Sequence, residues 1–217
     1  MAKIKTFVVN DFQTNAYLLY DETNEAVIID GAANSNYEFE RLNNFITTNN
    51  LKLKYILNTH GHLDHICGNF HLKNTYNVPI LMNFEDNYLV DNSLNFAYAY
   101  GFVMEKPPQA DLDIKDKSII TFGNTNIEVI TCPGHTPGGV VFHVEKDNIL
   151  IVGDSLFQQS IGRTDLPGGN YETLIENIKN KIFTLNPQTI VFPGHGPETT
   201  IEDEIKYNPF FELRIYN

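Results

Sequence analysis

Apolar residues recur along the chain in short runs whose spacing switches between two and about 3.6 residues, the periods of strand and helix. Residues 4–9, 16–20 and 26–30 read as three successive short strands, with turn formers at Asn10 and Asp11 and across 21–24. Tyr37, Leu42, Phe45 and Ile46 then fall at helical spacing within 35–49, with Asn34 and Ser35 as candidate N-caps. Residues 53–57 form a compact apolar strand that runs into Asn58, Thr59 and a His-rich segment. A helix is predicted over 66–76 and one or two more over 84–100, rich in Tyr and Phe, with Pro107 and Pro108 closing the stretch. The second half predicts strands at 118–122, 127–131, 140–144 and 149–152, a helix over 171–183, and a strand at 189–192 ending in Pro193-Gly194-His195.

Both halves thus deliver histidine at the C-terminal end of a strand, where α/β folds place ligand sites. Strand runs alternating with helices in each half predict two packed sheets with helices outside, a four-layer α/β arrangement. At 217 residues, with no linker-like stretch and no short repeat, a single domain over 1–217 is expected.

Composition changes this picture only at the margins. Hydrophobic residues at 42% and charged residues at 19% are those of a globular chain rather than a disordered one. A formal charge of -12 without any Lys/Arg-rich run argues against a nucleic-acid partner, because phosphate binding depends on cationic neutralisation. The first residues alternate like a strand and lack the apolar core of a signal peptide, and no run approaches the ~20 apolar residues of a membrane span. No membrane partner and a cytoplasmic location are therefore expected. Cys67 and Cys132 are too few for a disulfide framework and are expected to be reduced, buried thiols.

The chemistry concentrates in Thr59-His60-Gly61-His62-Leu63-Asp64-His65, which places three imidazoles and a carboxylate within six residues. In an extended loop His60 and His62 point the same way, toward one ion, while Asp64 and His65 turn toward a second as the chain enters the next helix. Downstream, His135 and His195 each sit in a Gly/Pro-shaped turn after an apolar strand, and Asp154 follows a strand in the same way. Imidazole nitrogen and carboxylate oxygen suit zinc, iron or manganese, so ligand type alone does not name the metal. His71, on a predicted helix, and His143, in a predicted strand, have no such context and are read as structural.

These motifs, in this order from 59 to 195, resemble the metallo-β-lactamase superfamily. Within it Thr-His-Gly-His-Leu-Asp-His, Gly-Asp-Ser-Leu-Phe, Ile-Gly-Arg-Thr-Asp and Pro-Gly-His-Gly-Pro look like those of short, single-domain glyoxalase II-like hydrolases. The resemblance implies an αββα sandwich and two divalent ions, zinc first among the choices and iron or manganese after it. It implies His60, His62 and His135 on the first ion, Asp64, His65 and His195 on the second, Asp154 bridging, and Asp30 as a supporting aspartate beside the site. It further implies hydrolysis of a small-molecule thioester or ester by a hydroxide shared between the ions, with Asp64 also holding its proton.

Several departures shape the substrate expectation. Asp154 stands where the best-known zinc β-lactamases carry cysteine, which argues against antibiotic hydrolysis as the main activity. Full-length glyoxalase II enzymes add a C-terminal helical domain that helps bind glutathione, whereas this sequence ends at Asn217, and 158–163 lack their Lys-containing glutathione loop. Arg163 is a candidate for a substrate carboxylate or for an ion pair with Asp165. The run from Phe96 to Phe102 is a candidate pocket wall, with core packing as its competing role. The rival class is a persulfide dioxygenase of the same superfamily, with a single iron on His60, His135 and Asp154; a lactone hydrolase also remains open.

Overall fold

The computed structural model describes residues 1–211. Its first half is built on a six-stranded sheet in the order β1 (Lys3–Val9), β2 (Thr14–Tyr20), β3 (Glu25–Ile29), β4 (Lys52–Leu57), β5 (Ile80–Met82) and β6 (Leu112–Asp113). The first three strands form an antiparallel meander, and β3 to β6 run parallel. The second half contributes β7 (Ile119–Phe122), β8 (Thr125–Thr131), β9 (Val140–Val144) and β10 (Ile149–Gly153), a small hairpin of β11 (Leu156–Phe157) and β12 (Ser160–Ile161), then β13 (Ile190–Pro193) and β14 (Thr199–Thr200). Apart from the hairpin these strands make a second six-stranded sheet, ordered β14, β13, β10, β9, β8, β7. The helices are α1 (Asn36–Thr48), α2 (Leu63–Ile66), α3 (Asn69–Tyr76), α4 (Asn87–Tyr100), α5 (Tyr171–Asn177) and α6 (Ile201–Tyr207).

Alternation along the strands divides their side chains between two cores. Tyr17, Leu19, Val27, Ile29 and Leu57 point inward and meet Phe122, Val129, Phe142 and Ile151 of the second sheet. Their neighbours Leu18, Ile28 and Ile56 point outward onto Leu42 and Ile46 of α1 and Leu72 of α3. Val141, Leu150, Val152 and Val191 on the far face meet Leu174 of α5 and Ile201 of α6. The result is the expected αββα sandwich. Because central strands are covered on both faces, they read as continuous apolar runs rather than a polar/apolar alternation.

Local signals explain the element ends. Ser35 caps α1 in a reciprocal box with Glu38, whose carboxylate also accepts the Asn10 N–H at 2.7 Å. Asn34 caps nothing there; its side chain donates to the Val103 carbonyl instead. The helix expected over 66–76 is interrupted at Cys67 and Gly68, where the backbone of Gly31 and Ala33 comes into the space a Cβ at Gly68 would need, and runs on from Asn69 to Tyr76. The helix expected over 171–183 is α-helical only to Asn177 and widens into a π-helical turn over Ile178–Ile182. The remaining predicted elements lie within a residue or two of their expected bounds. Among the described residues no helix is long and apolar enough to cross a membrane.

Cys67 and Cys132 are free and fully buried. Burial pushes both thiols up, that of Cys132 to about 11. In the native protein neither should react with an aromatic disulfide reagent at mildly alkaline pH, and both should react once the chain is unfolded in denaturant. Rapid thiol release from the folded chain would contradict the packing described here.

Candidate metal centre

The site forms where strand ends from both sheets meet. β4 ends in the loop bearing His60 and His62, and Asp64 and His65 lie on the short α2 that follows. His135 occupies the turn between β8 and β9, Asp154 follows β10, and His195 follows β13. Backbone bonds stitch these ends together: Val140 N–H to the Thr59 carbonyl (2.9 Å), Asn15 N–H to the Gly194 carbonyl (2.7 Å) and Gly194 N–H to the Gly153 carbonyl (2.8 Å). The Asn15 side chain adds bonds to the carbonyls of Pro193 and Gly196, and so fixes the His195 turn against β2. All seven ligand candidates read from the sequence are brought together.

They fall into two trios. His60, His62 and His135 offer ring nitrogens within 4.8 Å of one another, and Asp64, His65 and His195 offer a carboxylate oxygen and two ring nitrogens just as close; Asp30, His60 and His65 form a third, overlapping group behind them. Asp154 lies between them: its Oδ2 is 3.6 Å from both His135 Nε2 and His195 Nε2, and its Oδ1 is 3.3 Å from His65 Nε2. Asp64 Oδ2 is 3.2 Å from His195 Nε2 and 3.5 Å from His65 Nε2.

Four of the five rings are oriented from behind. His65 Nδ1 lies 3.0 Å from Asp30 Oδ2, His135 Nδ1 2.7 Å from the Arg163 carbonyl, His195 Nδ1 3.1 Å from the Phe12 carbonyl, and His60 Nδ1 3.0 Å from Thr59 Oγ1. In the neutral form with Nδ1 donating, each of these four rings turns an Nε2 lone pair toward the centre. His62 is the exception, presenting Nδ1, 2.9 Å from His135 Nε2. His60 Nε2, His65 Nε2 and Asp154 Oδ1 are buried without any hydrogen-bond partner. Buried polar atoms are normally paired, and these atoms, one in each trio and one on the carboxylate between them, fit cations as their missing partners.

The electrostatics agree. Burial, followed by the neighbouring imidazoles of His65 and His135, holds His60 well below the usual histidine range, so it stays a neutral donor. Burial alone would neutralise His65 too, but the carboxylates of Asp154, Asp64 and Asp30 outweigh it and hold His65 well above that range. For Asp154, burial is outweighed by His65, His135 and His195, which keep it ionised. Neutral imidazole and ionised carboxylate are the metal-ligating forms, and the field around His65 favours a positive charge.

Beside the trios opens a cavity of about 240 Å³ walled by Phe12, Leu63, Leu89, Phe96, Tyr100 and Leu166. Phe96 and Tyr100 therefore serve as pocket wall, whereas Ala97 and Phe102 of the same run are buried in the core and Tyr98 is exposed. Phe12, in the β1–β2 turn, packs edge-on to Tyr100 and Phe102 at 6.4 and 5.2 Å; a lone aromatic in a turn gave no sequence signal for this. Arg163 lies at the pocket rim and makes the expected ion pair, bidentate, with Asp165 (2.8 and 2.9 Å). His71, between Phe39 and Phe70, and His143, on β9, lie outside the site.

The two sheets and the clustered imidazoles and carboxylates point to a family. A profile described as the metallo-beta-lactamase superfamily matches residues 9–195, and the chain belongs to that superfamily. Hydroxyacylglutathione hydrolase GloC of Haemophilus influenzae is 38% identical, over 97% of this chain and 99% of its own length. The crystal structure of BLEG-1 B3 metallo-beta-lactamase superposes with a TM-score of 0.89 at 37% identity, covering 97% of this chain and 100% of that one. TTHA1623 in a di-iron-bound form superposes at 0.86 with 33% identity, covering 95% and 99%.

Asp30 is the residue most exposed to test. It is fully buried at φ +50°, a left-handed conformation that non-glycine residues rarely adopt, and its carboxylate accepts the Thr59 N–H (2.8 Å), the Thr59 hydroxyl (2.7 Å) and His65 Nδ1. Asp30→Ala should lower stability by ~1–3 kcal/mol for each donor left unpaired, read as a reduced urea midpoint. An unchanged midpoint would remove Asp30 from the support of the site.

Proposed function

We propose that the chain is a dinuclear metal-dependent hydrolase acting on thioesters, of the hydroxyacylglutathione hydrolase type. The observation that carries this reading is the Asp154 carboxylate set midway between two complete ligand trios, with unpartnered ring nitrogens on both sides. His60, His62 and His135 would hold one ion, Asp64, His65 and His195 the other, and Asp154 would touch both. Zinc, iron and manganese all suit these ligands; the likeness to a di-iron-bound protein keeps iron beside zinc. Two such ions supply an acidified water as nucleophile and polarise the carbonyl under attack.

The chain's own residues do the rest. Asp64 Oδ2, at the pocket and 3.2 Å from Thr14 Oγ1, is placed to accept the proton lost by the attacking water. In the balanced reaction water oxygen bonds to the acyl carbon, the carbon–sulfur bond breaks, and the proton passes to the departing thiolate. The apolar wall of Leu89, Phe96 and Tyr100 receives the acyl side and excludes bulk water. Arg163, held by Asp165 at the rim, is positioned for a carboxylate on the thiol side. The GloC relationship over nearly the full length of both chains supports the thioester choice.

A dioxygenase with one iron on His60, His135 and Asp154 would leave His65 and His195 without a task, yet both rings are oriented by their own hydrogen bonds. The likeness to a protein named a B3 metallo-beta-lactamase makes a β-lactam the competing hydrolase substrate. Protein purified without added metal should hydrolyse S-D-lactoylglutathione, lose that activity on chelation, and regain it with zinc or iron. Oxygen consumption on glutathione persulfide, or turnover of a β-lactam without thioester hydrolysis, would overturn the proposal.

A further inference from the structure

We infer that Asp86 is a positioning residue that clamps the loop carrying His60 and His62 to the turn carrying His135, and thereby sets the first ligand trio. This inference rests on the metal-centre reading above. Asp86 lies at the N-terminus of α4, where a carboxylate ordinarily caps its own helix, yet it caps no N–H of α4. Fully buried, its Oδ2 accepts the Gly61 N–H at 2.9 Å and the Thr136 hydroxyl at 2.7 Å, and its Oδ1 accepts the Gly138 N–H at 2.7 Å. Gly61 separates His60 from His62, and Thr136 follows His135 directly. One carboxylate therefore joins the residue between His60 and His62 to the turn that follows His135.

The glycines of both motifs acquire a reason. A Cβ at Gly61 would lie 2.9 Å from the Asp86 carbonyl oxygen and 3.1 Å from Leu89 Cβ, and one at Gly138 would lie 2.8 Å from Asp86 Cγ. Both positions are bare so that Asp86 and the first turn of α4 can come in between the two loops. The second trio is held differently: Asp30 orients His65, and the Phe12 carbonyl orients His195, with no bond from Asp86 to either. Loss of the clamp should accordingly be felt at one trio and not at the other.

The test is a cobalt(II) titration of the metal-depleted full chain, followed by visible absorption and chelator competition, with His135→Ala and His195→Ala identifying the band of each trio. Asp86→Asn keeps the shape but sets an amide N–H against the Gly138 N–H. It should weaken the ion at the first trio by about tenfold or more, the effect expected of an outer partner, and leave the other within about twofold. Thr136→Val removes one donor without touching Asp86 and should weaken the same ion selectively, which keeps the inference testable if Asp86→Asn does not fold. Two ions bound by either variant as in the wild type, or equal weakening of both, would overturn the clamp. A wild type that binds fewer than two ions would overturn the dinuclear reading, and the clamp with it.

Discussion

The Asp30 carboxylate is the interaction on which the rest of the site leans. It sits at the end of β3, buried between the sheets, and accepts the backbone and hydroxyl of Thr59 on one side and the ring of His65 on the other. Through Thr59 it reaches His60, whose Nδ1 lies against the same hydroxyl. A single buried charge thus fixes a ring in each ligand trio. The arrangement demands a left-handed aspartate, and the bonds that the carboxylate makes are what hold the backbone there.

Asp86 is the counterpart of Asp30 from the other direction. Asp30 orients the His65 ring by bonding to its nitrogen, whereas Asp86 acts on the first trio by fixing the loop and turn that carry it. The two carboxylates approach from different layers, one from the first sheet and one from α4. The helix that supplies the clamp also supplies Leu89, Phe96 and Tyr100 to the pocket wall, so ligand geometry and pocket shape share one support. This is how a loop-built site is held rigid: the loops are short, and each is tied to a buried acceptor rather than to solvent.

Much of this was legible in the sequence, for a physical reason. Ligands that must converge leave a dense local signature, as in His60 to His65, and the glycines and prolines around His135 and His195 mark tight turns after strands. Strands buried on both faces announce themselves as apolar runs, so the strands were readable except for β5, β6 and β14 at or beside the sheet edges and β11 and β12 of the small hairpin, which are three residues or fewer and too short to show a period. Asp86 and Phe12 were not legible. Each is a lone residue whose role comes only from distant chain segments, Gly138 in one case and His195 in the other. The helix read over 66–76 is present from Asn69 to Tyr76, with a break at Cys67 and Gly68 where the Gly31 backbone comes close.

In the proposed centre Asp154 joins two metal subsites. Anomalous X-ray diffraction at the zinc and iron edges, on crystals of protein purified without added metal, tests it most directly. The account predicts two anomalous peaks, one ligated by His60, His62 and His135, the other by Asp64, His65 and His195, with Asp154 in contact with both. A single peak ligated by His60, His135 and Asp154, with His65 and His195 free, would contradict it.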